Sequence, residues 1–478
     1  MMYIGIDVGT SITKAATFDP SGKILSVASR PTRLVNPQPG WYEQDIAEVL
    51  TSVTEVVAEV AATTDIEVIG LTGQGDGVWL VDEAGRPVRP AISWLDSRAV
   101  AVLRDWMATG VVERTFRRTG NTMFPGSAAP LLSWLDEAEP AVLDMAATAG
   151  YCKDIVMQHL TGVRATDVSD ASLPFSDPHR HRYHPDVLAD CGLTHRTDLL
   201  APVVTPTPIG ELNPGALALP AGVPVAAGPF DLPAGALGSG VREPGDGHLI
   251  IGTTLACQVL TETPDTGGVP TGMTLATGTP GQWLRAMPAM VGTAAVDWVL
   301  RLAGREHRDL ESMLAKSPTG ANGVRCLPFF SPSGERAPFL EPMARANFEG
   351  LSLHTDIDDL VRATCEAIAY AARHCFEAAG LTGEVAVCGG GTRSLAWLRI
   401  IADVLNRPIR LAPQPETGAR GAVIAAALAH GRDIDIDAWT APATVIEPDA
   451  ATARVYEQEY ARYRSRVDTA RLSWKESS

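Results

Sequence analysis

Asp7, Asp231 and two glycine–hydroxyl turns are the parts of this chain whose residue types and spacing could do chemistry. In Ile4-Gly5-Ile6-Asp7-Val8-Gly9-Thr10-Ser11-Ile12-Thr13-Lys14 a short apolar strand ends on a carboxylate, turns through Gly9, Thr10 and Ser11, and returns past Lys14. Such a turn points small hydroxyls and backbone N–H groups at one spot, which is what the terminal phosphates of a nucleotide need. Asp7 suits a magnesium ion held through water, because Mg2+ prefers oxygen ligands and keeps much of its hydration shell. Taken alone, the segment reads equally well as an ordinary hairpin with a Gly-Thr-Ser turn.

A second copy changes the balance. His248 to Leu260 is again a strand, a turn (Gly252-Thr253-Thr254) and a returning strand. Two phosphate-binding hairpins of one design, about half a chain apart, imply two related domains gripping a nucleotide between them. The chain has no G-x-x-x-x-G-K-[ST] loop and no protein-kinase motif set, so the two standard ATP architectures are absent. The actin-like duplicated fold remains.

Asp231 lies in Gly228-Pro229-Phe230-Asp231-Leu232-Pro233, where a strand turns into a helix. Asp is a favoured helix cap and Pro233 fits a first turn. A cap is compatible with a general base, because a helix N-terminus keeps a carboxylate ionised and a loose phosphoryl-transfer transition state asks little of its base. Gly389-Gly390-Gly391, followed by Thr392, Arg393, Ser394 and a helix through Leu405, offers bare backbone to a flat ring. Arg393 and Ser394 are counted with these glycines as candidate nucleotide contacts, as is Lys14. Glu416 to Ala422 opens an alanine-rich helix in which packing is as good an explanation as contact.

Gln74, Gly75, Asp76, Trp94, Asp96 and Arg98 follow apolar segments of the first half. Paired donors and acceptors with an aromatic wall suit a hydroxyl-rich, uncharged substrate. Each one singly is equally well a solvated loop residue. The run His179-Arg180-His181-Arg182-Tyr183-His184 reads as an exposed turn rather than a metal site, since it lacks Cys or carboxylates at ligand spacing.

These residues need two domains to position them. At 478 residues the chain exceeds one ordinary core. The turn-rich stretch Val241–Gly247 predicts a boundary, giving domains of 1–245 and 246–478. Alternating strands and helices predict an α/β fold, with strands at 68–73, 78–81 and 385–388 and a helix over 360–379 closed by Gly380. A charged helix is predicted from Ala451 to Lys475. A net charge of −17 argues against nucleic acid or an anionic membrane as the main partner. Seven cysteines without C-x-x-C spacing, no signal-like start and no apolar span predict a cytoplasmic protein with reduced thiols.

At these residues the chain resembles the FGGY family of carbohydrate kinases, from about Tyr3 to Gly431. The matching pieces are Asp7-Val8-Gly9-Thr10-Ser11, Gly40-Trp41-Tyr42-Glu43-Gln44-Asp45, Trp94-Leu95-Asp96-Ser97-Arg98, Asp231, Gly252-Thr253-Thr254, Gly334-Glu335-Arg336-Ala337-Pro338 and Gly389-Gly390-Gly391. The resemblance implies two ribonuclease-H-like domains around an interdomain cleft, and transfer of the ATP γ-phosphoryl group to a terminal hydroxyl of a small sugar or polyol. It implies Asp231 as base, Asp7 as magnesium partner, Thr10 and Thr253 as phosphate contacts, and Gly390 and Gly391 at the adenosine. Many members that act on ketoses or glycerol follow the base with Gln or Asn, whereas here it is Leu232. The loop Gly73-Gln74-Gly75-Asp76-Gly77 also looks more like that of erythritol-type kinases. A four- or five-carbon alditol is therefore the expected acceptor and a ketopentose the alternative. A non-catalytic sugar-responsive regulator and a phosphohydrolase are the other readings, and a homodimer is left open.

Overall fold

The computed structural model describes residues 2–61, 65–205, 207–412 and 414–476. It divides into two compact units that are not consecutive halves of the chain. The first comprises Met1–Gly240, Glu262–Leu284 and Glu416–Ala441; the second comprises Val241–Thr261, Arg285–Pro415 and Pro442–Ser478.

The first unit is built on strands β1 (Met2–Val8), β2 (Ile12–Phe18), β3 (Ile24–Pro31), β4 (Ile66–Gly73), β5 (Ile209–Glu211) and β6 (Pro224–Ala227), in the order β5-β6-β4-β1-β2-β3. β1, β2 and β3 form an antiparallel meander, β4 and β6 add in parallel, and β5 closes the edge antiparallel. One face is covered by the helix Ile46–Val60. Asp45 caps that helix through the amides of Ala47 and Glu48, and Val49, Val53, Val56, Val57 and Val60 are buried at helical spacing.

The opposite face is covered by the helix Thr417–Ala429, which packs unusually close. A Cβ at Gly5 of β1 would sit 2.3 Å from the Ala419 carbonyl, and one at Gly70 of β4 would sit 2.3 Å from that of Ala422. The helix also meets the helix Asp231–Gly238 backbone to backbone, since a Cβ at Gly238 would lie 1.9 Å from Thr417 O and one at Gly421 1.9 Å from Ala234 O. Glycine is required at these contacts because any side chain would separate the two layers.

The second unit repeats the plan. Strands β7 (Gly247–Ile251), β8 (Leu255–Thr261), β9 (Val385–Cys388), β10 (Ile409–Leu411) and β11 (Thr444–Ile446) stand in the order β8-β7-β9-β10-β11. The pairings run antiparallel, parallel, parallel, antiparallel, as they do for β2-β1-β4-β6-β5. The long helix Ile357–Ala379, capped by Asp356 and ended by Gly380 at φ 88°, buries Val361, Cys365, Ile368, Ala372, Cys375 and Phe376. The helix Ala450–Glu476 buries Tyr456, Tyr460, Tyr463 and Val467 in the same core. No helix among the described residues is long and apolar enough to cross a membrane.

Candidate active site

In the first unit the β1–β2 turn is closed by the Gly9 amide donating to Ile12 O at 3.1 Å. Asp7 stands at the end of β1 in register with Lys14 of β2 and Thr72 of β4. Burial pushes its carboxyl up to about 6; Lys14 pulls it down and Glu416 pushes it up. Glu416 directly precedes the helix Thr417–Ala429, and its carboxylate holds the Lys14 ammonium at 3.1 Å. A Cβ at Gly418 would come within 2.6 Å of Asp7 Oδ2, so the first turn of this helix is pressed against the carboxylate. Lys14, expected at the nucleotide, is thus ion-paired, while Ser11 is exposed at the turn.

Thr10, Gln74 and Gln44 form a closed ring. Thr10 Oγ1 donates to Gln74 Oε1 at 3.0 Å, Gln74 Nε2 donates to Gln44 Oε1 at 2.8 Å, and Gln44 Nε2 donates to Thr10 O at 3.0 Å. Trp94 Nε1 donates to the same Thr10 hydroxyl at 2.8 Å. Both glutamines are buried, so the ring is shielded from competing water. It ties the phosphate-type turn to the loop expected to hold substrate. Gln74 and Trp94 therefore support Thr10 as well as lying beside it.

The next residue, Gly75, leaves no room for a side chain, because a Cβ would meet the Phe230 ring at 2.7 Å. Asp76 is buried in the left-handed region at φ 56°, an unusual conformation that aspartate tolerates better than most residues. Asp231 opens the helix Asp231–Gly238. Burial pushes its carboxyl up to about 7; Asp7 adds to the rise, the Leu232 amide opposes it, and Asp76 adds again. Asp7, Asp76 and Asp231 thus share one field, which disfavours charging all three together.

Asp96 and Arg98 are fully buried as a bidentate pair, with Arg98 Nε 2.9 Å from Asp96 Oδ1 and Nη2 2.9 Å from Oδ2. Glu43 accepts from Nη2 at 2.8 Å, and the guanidinium lies 4.0 Å from the Trp41 ring centroid. Nη1 has no hydrogen-bond partner among the described residues. Replacing Arg98 with Met should lower stability by about 3 kcal/mol in urea denaturation, because the buried Asp96 carboxylate loses its cation while Glu43 keeps only Arg89, at 2.5 Å. A loss below about 1 kcal/mol would mean that the Tyr42 and Arg98 amides, which also donate to Asp96, hold it unaided.

In the second unit the Gly252 amide donates to Thr254 O at 3.0 Å. The carbonyls of Gly252 and Thr253 accept from the amides of Thr293 and Gly292, which fastens the turn to the start of the helix Thr293–Leu302. Gly389 (φ 97°) and Gly391 are held by packing, since Cβ atoms there would meet Ile251 O at 2.6 Å and Ile251 Cγ2 at 2.4 Å. Nothing lies within 4 Å of a Cβ built at Gly390, so its open face is the bare backbone of this loop. Arg393 is exposed. Ser394 Oγ is already engaged: it caps the helix Leu395–Leu405 through Trp397 N and donates to Glu311 Oε1 at 2.7 Å. Glu311 also accepts from the Ala396 amide at 3.1 Å, a sealing role that sequence reasoning missed. Gln44 and Glu43 belonged to a recognised motif, but only their distant partners reveal what they do.

The His179–His184 turn holds His184 as a helix cap, its Nδ1 accepting from Asp186 N at 3.2 Å, with His179 edge-on to Trp283.

The model of the FGGY family of carbohydrate kinases, N-terminal domain, matches residues 2–238, and that of the C-terminal domain matches residues 247–430. An erythritol kinase of Brucella abortus (strain 2308) is 32% identical over 97% of this chain and 95% of its own length. A xylulose kinase of Escherichia coli (strain K12) is 28% identical over 99% of both chains. The crystal structure of a xylulose kinase from Rhodospirillum rubrum superposes with a TM-score of 0.90 at 31% identity, covering 99% of this chain and 100% of that one.

Proposed function

The chain belongs to the FGGY family of carbohydrate kinases, and we propose that its acceptor is a small sugar alcohol of the erythritol, threitol or xylitol type. It is a phosphotransferase with an alcohol group as acceptor, of the actin-like two-domain α/β fold. The alditol reading is supported by the likeness to an erythritol kinase, by Leu232 where a ketose-binding amide is common, and by the Gln74-Gly75-Asp76 loop. The xylulose kinases among its relatives support a ketopentose as the alternative acceptor. We place the enzyme in the cytoplasm, with ATP as phosphoryl donor and Mg2+ as its metal.

The observation that carries the mechanism is Asp231, a carboxylate held near neutrality at the first residue of a helix. As the acceptor oxygen attacks the γ-phosphorus, Asp231 takes the hydroxyl proton and ADP leaves with the electrons of the broken P–O bond. In the turn that the Gly9 amide closes, Thr10 and Ser11 offer backbone amides and the Ser11 hydroxyl to the phosphates, and in the turn closed by Gly252 in the second unit Thr253 and Thr254 offer theirs. Gly389, Gly390 and Gly391 offer backbone to the adenosine. Asp76, Gln74 and Trp94 line the acceptor side, with Asp96 and Arg98 as the rigid wall behind them.

Asp7 fits a magnesium partner. It supplies hard oxygens, and among the described residues no group of three or more His, Cys, Asp or Glu is placed to form a closed cage. A cation held chiefly by water and phosphate needs no such cage. When bound, Mg2+ offsets charge on the transferring phosphoryl group.

Incubation with Mg-ATP alone and then with acceptor tests the assignment. Transfer should exceed acceptor-free phosphate release by about 100-fold or more, because an enzyme that holds the acceptor in place excludes water as its competitor. Comparable hydrolysis without acceptor would favour the phosphohydrolase reading.

A further inference from the structure

The peptide linking Pro229 to Phe230, immediately before Asp231, is held at both of its polar atoms by buried hydroxyl side chains. Thr72 Oγ1 of β4 donates to Pro229 O at 2.7 Å, and the Phe230 amide donates to Ser169 Oγ at 3.0 Å. Thr72 and Ser169 are both wholly buried. Phe230 is the cap residue of the helix Asp231–Gly238 and receives no side-chain cap of its own, so this peptide sets where the helix begins and which way Asp231 points.

Both hydroxyls have rigid mounts. Thr72 is in register with Asp7 across β1 and β4. Ser169 belongs to the short helix Val168–Ala171, whose cap Asp167 accepts from the amides of Ser169 and Asp170. Asp167, Asp170 and Asp154 converge on Lys153 Nζ at 2.8, 2.9 and 3.0 Å, all of them buried, and pin that helix to the start of the helix Cys152–Thr161. On the other side of the clamp, the Phe230 ring is backed by Gly75.

We propose that Thr72 and Ser169 are positioning residues that aim the Asp231 carboxylate by fixing the Pro229–Phe230 peptide. The proposal rests on Asp231 being the base. Displacing a reacting group by about 1 Å costs on the order of 100-fold in rate, and losing one of two restraints allows a fraction of that movement. Ordinary core hydroxyls would instead affect folding and substrate binding alike.

The test uses the full chain with Thr72→Val, Ser169→Ala and the conservative Thr72→Ser. Each removal should lower kcat about 10-fold, and the pair about 100-fold, with acceptor KM and ATP Kd within about 2-fold of the parent. Thr72→Ser, which keeps the donor, should recover kcat to within about 3-fold. Added to Asp231→Asn, the paired removal should change the residual turnover less than 2-fold, because the group being aimed is gone.

Unchanged kcat in Thr72→Val and Ser169→Ala, beside a crippled Asp231→Asn, overturns the clamp alone. An equal further loss in the Asp231→Asn background overturns it as well. Near-normal turnover by Asp231→Asn removes the base itself, and the clamp with it.

Discussion

Asp231→Asn is expected to reduce kcat by about 1,000-fold, within the 100- to 10,000-fold range of general-base catalysis, while ATP still binds. Asparagine keeps the shape and the helix start but cannot take the acceptor proton. Activity of the parent should rise with pH through about 7, where the half-buried carboxyl becomes the carboxylate that accepts a proton. The variant should lose that limb.

Stability should move the opposite way. Folding raises this group from 3.8 to about 7, so the folded state favours the protonated form, and stability is lost as pH climbs between those values. At pH 8 the variant should therefore be the more stable protein, by up to about 4 kcal/mol at roughly 1.4 kcal/mol per unit. At pH 4 the advantage should largely vanish. Thermal denaturation at the two pH values, beside initial rates, checks both limbs. A variant that is less stable at pH 8 would mean that the carboxylate is held by favourable contacts rather than strained by burial.

Gly418→Ala is the second large effect, and helix propensity alone gets its sign wrong. Alanine in place of glycine in a helix is ordinarily worth up to about 1 kcal/mol of stabilisation. Here the new methyl would sit 2.6 Å from Asp7 Oδ2. The helix cannot retreat, because its backbone already touches β1 at Gly5, β4 at Gly70 and the neighbouring helix at Gly238. Asp7 must swing instead, and kcat should fall about 100-fold. The Mg2+ concentration for half-maximal rate should rise at least several-fold. Parent-like turnover and metal dependence would show that Asp7 has slack to move, and would weaken its assignment as the metal partner.

Much of this was legible in the residues, for identifiable reasons. The two hairpins announce themselves because a strand, a glycine–hydroxyl turn and a second strand are all local features. The helix Ile357–Ala379 is visible from its one apolar face and Gly380, and the strand Val385–Cys388 from its run into three glycines. The helix Thr417–Ala429 was legible as a helix but not in its placement. An alanine- and glycine-rich helix is apolar on most faces, so periodicity does not say which sheet it covers, and this one covers the sheet of the first unit.

Pairings at the site were hidden for a related reason. Thr10 with Gln74, Lys14 with Glu416 and Ser394 with Glu311 join residues 64, 402 and 83 positions apart. Residue type marks each as polar and useful, but not whether its hydroxyl or ammonium already has a partner. The peptide clamp before Asp231 is invisible for the same reason, since Thr72 and Ser169 look like ordinary core hydroxyls in a strand and a short helix.

The central claim is ATP-dependent transfer to a small alditol. The most direct test is coupled ADP release with Mg-ATP against erythritol, D- and L-threitol, xylitol, the arabitols, ribitol, glycerol and the common ketopentoses. One alditol should show kcat/KM at least about 10-fold above every ketopentose, a gap of about 1.4 kcal/mol in transition-state binding. A ketopentose at the top would keep the kinase and contradict the acceptor. Silence across the panel from folded protein that binds ATP would contradict the account as a whole.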